Sequence, residues 1–147
     1  MVVANAIVFP EMDRLLREGH QVVFTPEGQS MRPFIHGGRD SVTLVRPDRV
    51  EIGDILLCEV TPQCYVLHRL IAKQGDKLTL MGDGNLRNTE TCMRRDVIGK
   101  VIAITRPDGR SRKPGKARLW QCLLPFRRGI LKLYTICESG KASNCAR

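Results

Sequence analysis

The sequence predicts a mainly β fold, a compact all-β domain with a short helix before it and a basic helical tail after it. Three observations predict it. Six short runs rich in β-branched residues fall between residues 21 and 104, and clusters of Gly, Pro, Asp and Asn separate them. Ahead of them, apolar residues recur at helical spacing. Behind them the composition changes abruptly. Residues 1–104 carry 13 Lys and Arg against 13 Asp and Glu, whereas residues 105–147 carry 11 against 2. The net charge of +9 therefore belongs wholly to the last part of the chain. The expected segments are a helical lead (1–20), the β domain (21–104) and a basic linker with an amphipathic C-terminal segment (105–147).

The helix is expected at 11–18. Pro10 suits a first helical turn, and Glu11 and Asp13 suit its positive end. Met12, Leu15 and Leu16 then mark one face, and Gly19 can end the helix. The six strand runs are QVVFT, SVTLV, DILLCEV, CYVLHRLIA, KLTLM and VIGKVIAI. After Ile104, RPDGRSRKPGKAR reads as an exposed linker, because it is basic and rich in Gly and Pro. In LWQCLLPFRRGILKLY, Leu119, Trp120, Leu123 and Leu124 can share a helical face, interrupted by Pro125 and Gly129. The last residues, CESGKASNCAR, read as a frayed end.

Charge and cysteine usage exclude several classes. A spanning helix needs about twenty apolar residues, and no uncharged stretch exceeds ten. The first residues lack the basic region of an export signal, so a cytoplasmic location is expected. The six cysteines have no C-x-x-C spacing and only three histidines to join them, so reduced thiols are expected and no metal or cofactor is implied.

Three segments can carry chemistry. In GQSMRPFI, Ser30 follows a glycine turn, the placement a serine nucleophile needs if backbone N–H groups are to hold an oxyanion. Gly28 allows an unusual backbone geometry there, and Met31 is placed to line a pocket. In YVLHRLI, strand alternation puts Val66, His68 and Leu70 on one face. His68 is then a candidate general base. In MGDGN, Asp83 is placed to orient a histidine or to bond backbone amides. Gly53-Asp54 reads as a structural turn. Each segment alone is equally well a turn serine, a buried histidine or a turn aspartate.

Together they form a pattern. GQSMRP (28–33), GRDSVTLV (38–45), EIGDILL (51–57), LHRLI (67–71), MGDGN (81–85) and VIGKVIAI (97–104) follow one another in the order found in the signal-peptidase type of serine peptidase. The chain resembles that group, whose clan also contains the LexA-like self-cleaving repressors, over residues 28–104. The resemblance implies a β-roll or barrel-like peptidase domain. It implies Ser30 as nucleophile, His68 as base and Asp83 as its acidic partner, with Gly28 and the Ser30 N–H at the oxyanion hole. It further implies a polypeptide substrate bound as an extended strand, with shallow pockets for small side chains near the cut. Arg69 and Arg32 lie beside the motifs as candidates for binding a substrate carboxylate. The chain departs from the pattern in several ways, among them Gly84 where the family turn has its first Asn. No spanning segment precedes Ser30. The position where a further aspartate is expected falls near Asn88-Thr89-Glu90, and no aspartate is there.

The expected function is thus a serine endopeptidase acting on a leader or precursor segment. The alternative is a catalytically silent β-module that binds a peptide, an anionic membrane or nucleic acid. For the tail, one reading is a helix docked on the β domain. Another is peripheral contact with an anionic membrane through 118–134. There Trp120, Leu123, Leu124, Phe126 and Leu131 would insert, while Arg127, Arg128 and Lys132 would face lipid. Nucleic acid is the least supported partner, since few aromatics are interleaved with the charges.

Overall fold

The structure, a computed structural model, describes residues 2–133, with side chains from residue 8 onward except that of Leu124. The chain is mainly β, a curled half-barrel sheet flanked by helices. The strands are β1 (Val22–Phe24), β2 (Ser41–Val45), β3 (Ile55–Thr61), β4 (Cys64–Gln74), β5 (Lys77–Met81), β6 (Glu90–Met93), β7 (Val97–Thr105) and β8 (Ser111–Arg112). All pair antiparallel in the order β1-β2-β7-β3-β4-β5-β6, with β8 added to β7.

All six expected runs form strands. The sequence did not predict β6 or β8. β6 reads Glu-Thr-Cys-Met, with a single β-branched residue, so its strand character comes from pairing with β5 rather than from propensity. β8 lies within the expected linker, where a turn through Gly109 (φ +85°) folds the basic segment back on β7.

The sheet is central because both of its faces are covered. In β3, Ile55 and Leu57 enter one cluster with Val42, Leu44, Ile98, Val101 and Ile104. Leu56 and Cys58 enter a second with Leu70, Leu78, Leu80, Cys92 and Val97. The two-residue strand period sends alternate side chains into two cores, which is why DILLCEV reads as a continuous apolar run. The thiols of Cys58 and Cys92 bond to each other in the second core. That bond, with burial, pushes the Cys58 thiol well above its ordinary pKa, so this buried group is no nucleophile. Cys64, in contrast, is exposed.

The first helix, α1, spans Val2–Arg17 rather than beginning near residue 11. Pro10 is inside it, where it removes one intrahelical hydrogen bond without ending the helix. Met12 and Leu16 are buried in the first cluster, and Phe9 stacks on Tyr65 with ring centroids 4.5 Å apart. That i, i+3, i+7 spacing is the helical face that meets the sheet. Gly19, at φ +88°, then terminates the helix.

At the other end, α2 (Arg118–Cys122) is followed by helical residues 127–133. Trp120 is buried against Phe34 and donates through Nε1 to the Asp83 carbonyl at 2.9 Å. Arg127 is fully buried: its guanidinium sits over the Trp120 ring and donates to Gln121 Oε1. These two residues are packed on the domain, as the docked-helix reading of the tail has it, rather than left free as the membrane reading required. Leu119, Phe126 and Leu133 remain exposed. The expected fraying of 137–147 and the remainder of the tail from residue 134 lie outside the described residues. Among the described residues no helix is long and apolar enough to cross a membrane.

Candidate active site

Ser30 lies in a compact turn after β1. Arg32 N–H donates to the Gln29 carbonyl at 3.2 Å, and Phe34 and Ile35 N–H both donate to the Met31 carbonyl at 3.0 Å. Two glycine-dependent approaches set this turn. Gly28 has φ +87°, a backbone that side chains rarely adopt. Gly37 passes so close that a Cβ there would overlap the Gly28 carbonyl oxygen and stand 2.6 Å from the Gly28 nitrogen. Asp40 holds the Gly37 turn by accepting from the His36 N–H at 3.0 Å and from Arg39 Nε at 2.8 Å. Burial raises the pKa of the Asp40 carboxyl, but the bonds from Arg39 and His36 outweigh it and hold the group below its ordinary value.

The MGDGN turn supports the same serine from beneath. Gly84 N–H donates to the Ser30 carbonyl at 2.8 Å. A Cβ on Gly82 would overlap that carbonyl oxygen, and one on Gly84 would stand 2.8 Å from the Gln29 carbonyl oxygen. Both glycines are there for close backbone approach.

His68 sits mid-strand on β4, opposite Leu56 of β3. It shares a strand face with Val66 and Leu70, as alternation requires, and is buried. Its Nε2 stands 3.0 Å from Ser30 Oγ and its Nδ1 stands 2.7 Å from Glu90 Oε2. In the tautomer that satisfies both contacts, Nδ1–H donates to the Glu90 carboxylate. The Nε2 lone pair then accepts from the Ser30 hydroxyl. Hydroxyl, imidazole and carboxylate are thus in one hydrogen-bonded line, the arrangement a serine nucleophile, its base and an orienting acid require.

Glu90 is the member that sequence reasoning missed. It opens β6, the strand that propensity did not reveal. β6 lies two strands from β4, about 10 Å away at the usual strand spacing. The imidazole and the long glutamate side chain span that gap together. The available signal was positional: the expected further acid fell at 88–90, and Glu90 supplies the carboxylate one methylene longer.

Asp83 does not have the role the resemblance implied, and Arg69 is not placed to bind a substrate carboxylate. Asp83 is fully buried and points to Arg69, not to His68. Arg69 Nε donates to Asp83 Oδ1 at 2.8 Å and Nη2 to Oδ2 at 2.7 Å. Nη1 donates to the carbonyls of Gly53 and Gly115 at 2.8 and 2.7 Å. With 1% of its surface exposed, Arg69 cannot meet a substrate. The pair instead fastens β4 and the MGDGN turn to the turn before β3 and to the C-terminal segment. It faces away because adjacent strand residues point to opposite sides: His68 faces the site and Arg69 the turn. Gly53-Asp54 is structural as expected, with Asp54 Oδ2 accepting from the Glu51 N–H at 2.9 Å.

Beside the dyad lies a cavity of about 150 Å3. Gly28, Ser30, Met31 and His68 line it, together with Glu27, Ile35 and the stretch Tyr65–Leu67. Met31 therefore lines the pocket as expected. Its walls include residues 65–67 of β4 and the bend at 26–28.

No family model matches this chain, and no curated protein matches it. The hydroxyl, imidazole and carboxylate of the site can perform acyl transfer. Among the described residues no cluster of His, Cys, Asp and Glu could hold a metal ion.

Proposed function

We propose that this protein is a serine endopeptidase of Ser–His–Glu type that cuts an extended polypeptide segment through an acyl-enzyme. The observation that carries this reading is the continuous contact from Ser30 Oγ through the His68 ring to Glu90. Ser30 Oγ attacks the substrate carbonyl carbon while His68 Nε2 takes its proton. Glu90 stabilises the imidazolium that forms. The developing oxyanion lies beside the Ser30 turn, where the Ser30 N–H makes no backbone hydrogen bond among the described residues. Collapse of the tetrahedral intermediate breaks the C–N bond, and Nε2–H protonates the leaving amine. Water, deprotonated by the same nitrogen, then releases the acyl group from Ser30. Residues 65–67 of β4, which line the cavity, favour a substrate laid beside them as a strand.

The test is digestion of a diverse peptide library by wild type and by Ser30→Ala, read by mass spectrometry, with a fluorophosphonate to label the serine. Wild type should cleave and should carry the adduct on Ser30, and Ser30→Ala should do neither. Equal cleavage by the two proteins overturns the proposal.

A further inference from the structure

The cavity beside Ser30 is larger than the small-residue pockets that the resemblance implied. At about 150 Å3 it is well beyond what a methyl group requires. Its wall is aliphatic where Met31, Ile35 and Leu67 contribute. Glu27 is the one acidic residue among those lining it. The Glu27 side chain reaches over the Gly37-Gly38 turn, with Oε2 3.7 Å from where a Gly38 Cβ would stand. It is exposed, and among the described residues no cation pairs with it. An aliphatic wall with one exposed glutamate among the lining residues suits a long methylene stem ending in a cation.

We propose that Glu27 is a specificity determinant and that the residue supplying the attacked carbonyl is lysine or arginine. The inference rests on the peptidase reading and names the substrate class of that site. The cavity touches nucleophile and base at once, so the side chain it holds belongs to the residue at the cut. The stem lies along Met31, Ile35 and Leu67. The cation meets the Glu27 carboxylate at the rim, where water still reaches the pair.

Peptidyl diphenyl phosphonates that differ only in this side chain (lysine, norleucine or glutamate) test the proposal. The Ser30 Oγ–P bond forms as phenoxide leaves, so the labelling rate reports both site competence and side-chain preference. In wild type the lysine probe should label about fivefold faster than the norleucine probe, the scale of a solvent-exposed ion pair. The ratio should fall toward one in Glu27→Gln and in high salt, which screens an exposed pair. In Glu27→Lys the preference should pass to the glutamate probe. Thermal melts of the variants confirm that they are folded. Equal rates for lysine and norleucine in wild type, or a lysine preference that survives in Glu27→Gln, overturn the inference and leave the peptidase reading standing. Failure of all three probes to label Ser30 overturns both.

Discussion

The contact between His68 and Glu90 predicts how the site fails when its acid is neutralised. In Glu90→Gln the side chain keeps its length but loses its charge, so the imidazolium formed during Ser30 attack loses its counter-charge. The contact is 2.7 Å, with 7% of the His68 side chain and 27% of the Glu90 side chain exposed. Two unit charges at 4 Å in an effective dielectric of 20 attract by about 4 kcal/mol, an upper bound for a pair this close to water. Hydrogen bonds to charged groups contribute about 1.5–3 kcal/mol net. Taking about 2–3 kcal/mol, and about 1.4 kcal/mol per tenfold in rate, the expected loss is about 30- to 150-fold. The assay is the rate of fluorophosphonate labelling of Ser30 per folded molecule, with folded fraction from circular dichroism. Asp83→Asn is the contrast: its labelling should fall only in step with its folded fraction, because Asp83 acts on Arg69. If Glu90→Gln labels at the wild-type rate, the assignment of Glu90 as the orienting acid is wrong. If Asp83→Asn alone is slowed while fully folded, the resemblance was right and the geometry misread.

Two further outcomes concern stability. Arg69→Met strands a fully buried carboxylate and should cost about 3–5 kcal/mol, or about 10 °C in melting temperature for a domain of this size. Arg69→Met with Asp83→Leu should recover part of that loss in the same thermal melt. Asp40 predicts a pH dependence. Its folded pKa lies below the ordinary 3.8, so its stabilisation is fully present above that value and is lost as pH falls through the folded pKa. Asp40→Asn should therefore unfold at lower urea than wild type at pH 7, by about 1–3 kcal/mol. The gap should narrow in urea titrations carried to pH 3, and a constant gap would refute the linkage.

Much of this molecule was legible from patterning. Alternating and β-branched runs marked six strands because burial on a pleated surface imposes a two-residue period. Met12 and Leu16 marked the helical face that meets the sheet. Ser30 and His68 were legible because a turn serine and a mid-strand histidine, taken in order with their glycine neighbours, form a recognisable series. β6 was not legible. A four-residue strand with mixed chemistry is specified by the partner it pairs with, and that partner is known only once the sheet has curled.

The same reason explains the misassigned acid. Local sequence placed Asp83 in a glycine turn near the site, and nothing local says which way its carboxylate faces. Tertiary structure decided this by bringing Arg69 and the carbonyls of Gly53 and Gly115 to one buried point, where Arg69 bonds to the Asp83 carboxylate. It also decided that a residue 22 positions after His68 would complete the line to Ser30. Sequence by itself determined six of the eight described strands, the glycine turns, and which hydroxyl and imidazole are candidates, because those depend on neighbours along the chain. Which carboxylate orients the imidazole, and that Trp120 and Arg127 face the domain, depended on distances between strands and segments far apart in sequence.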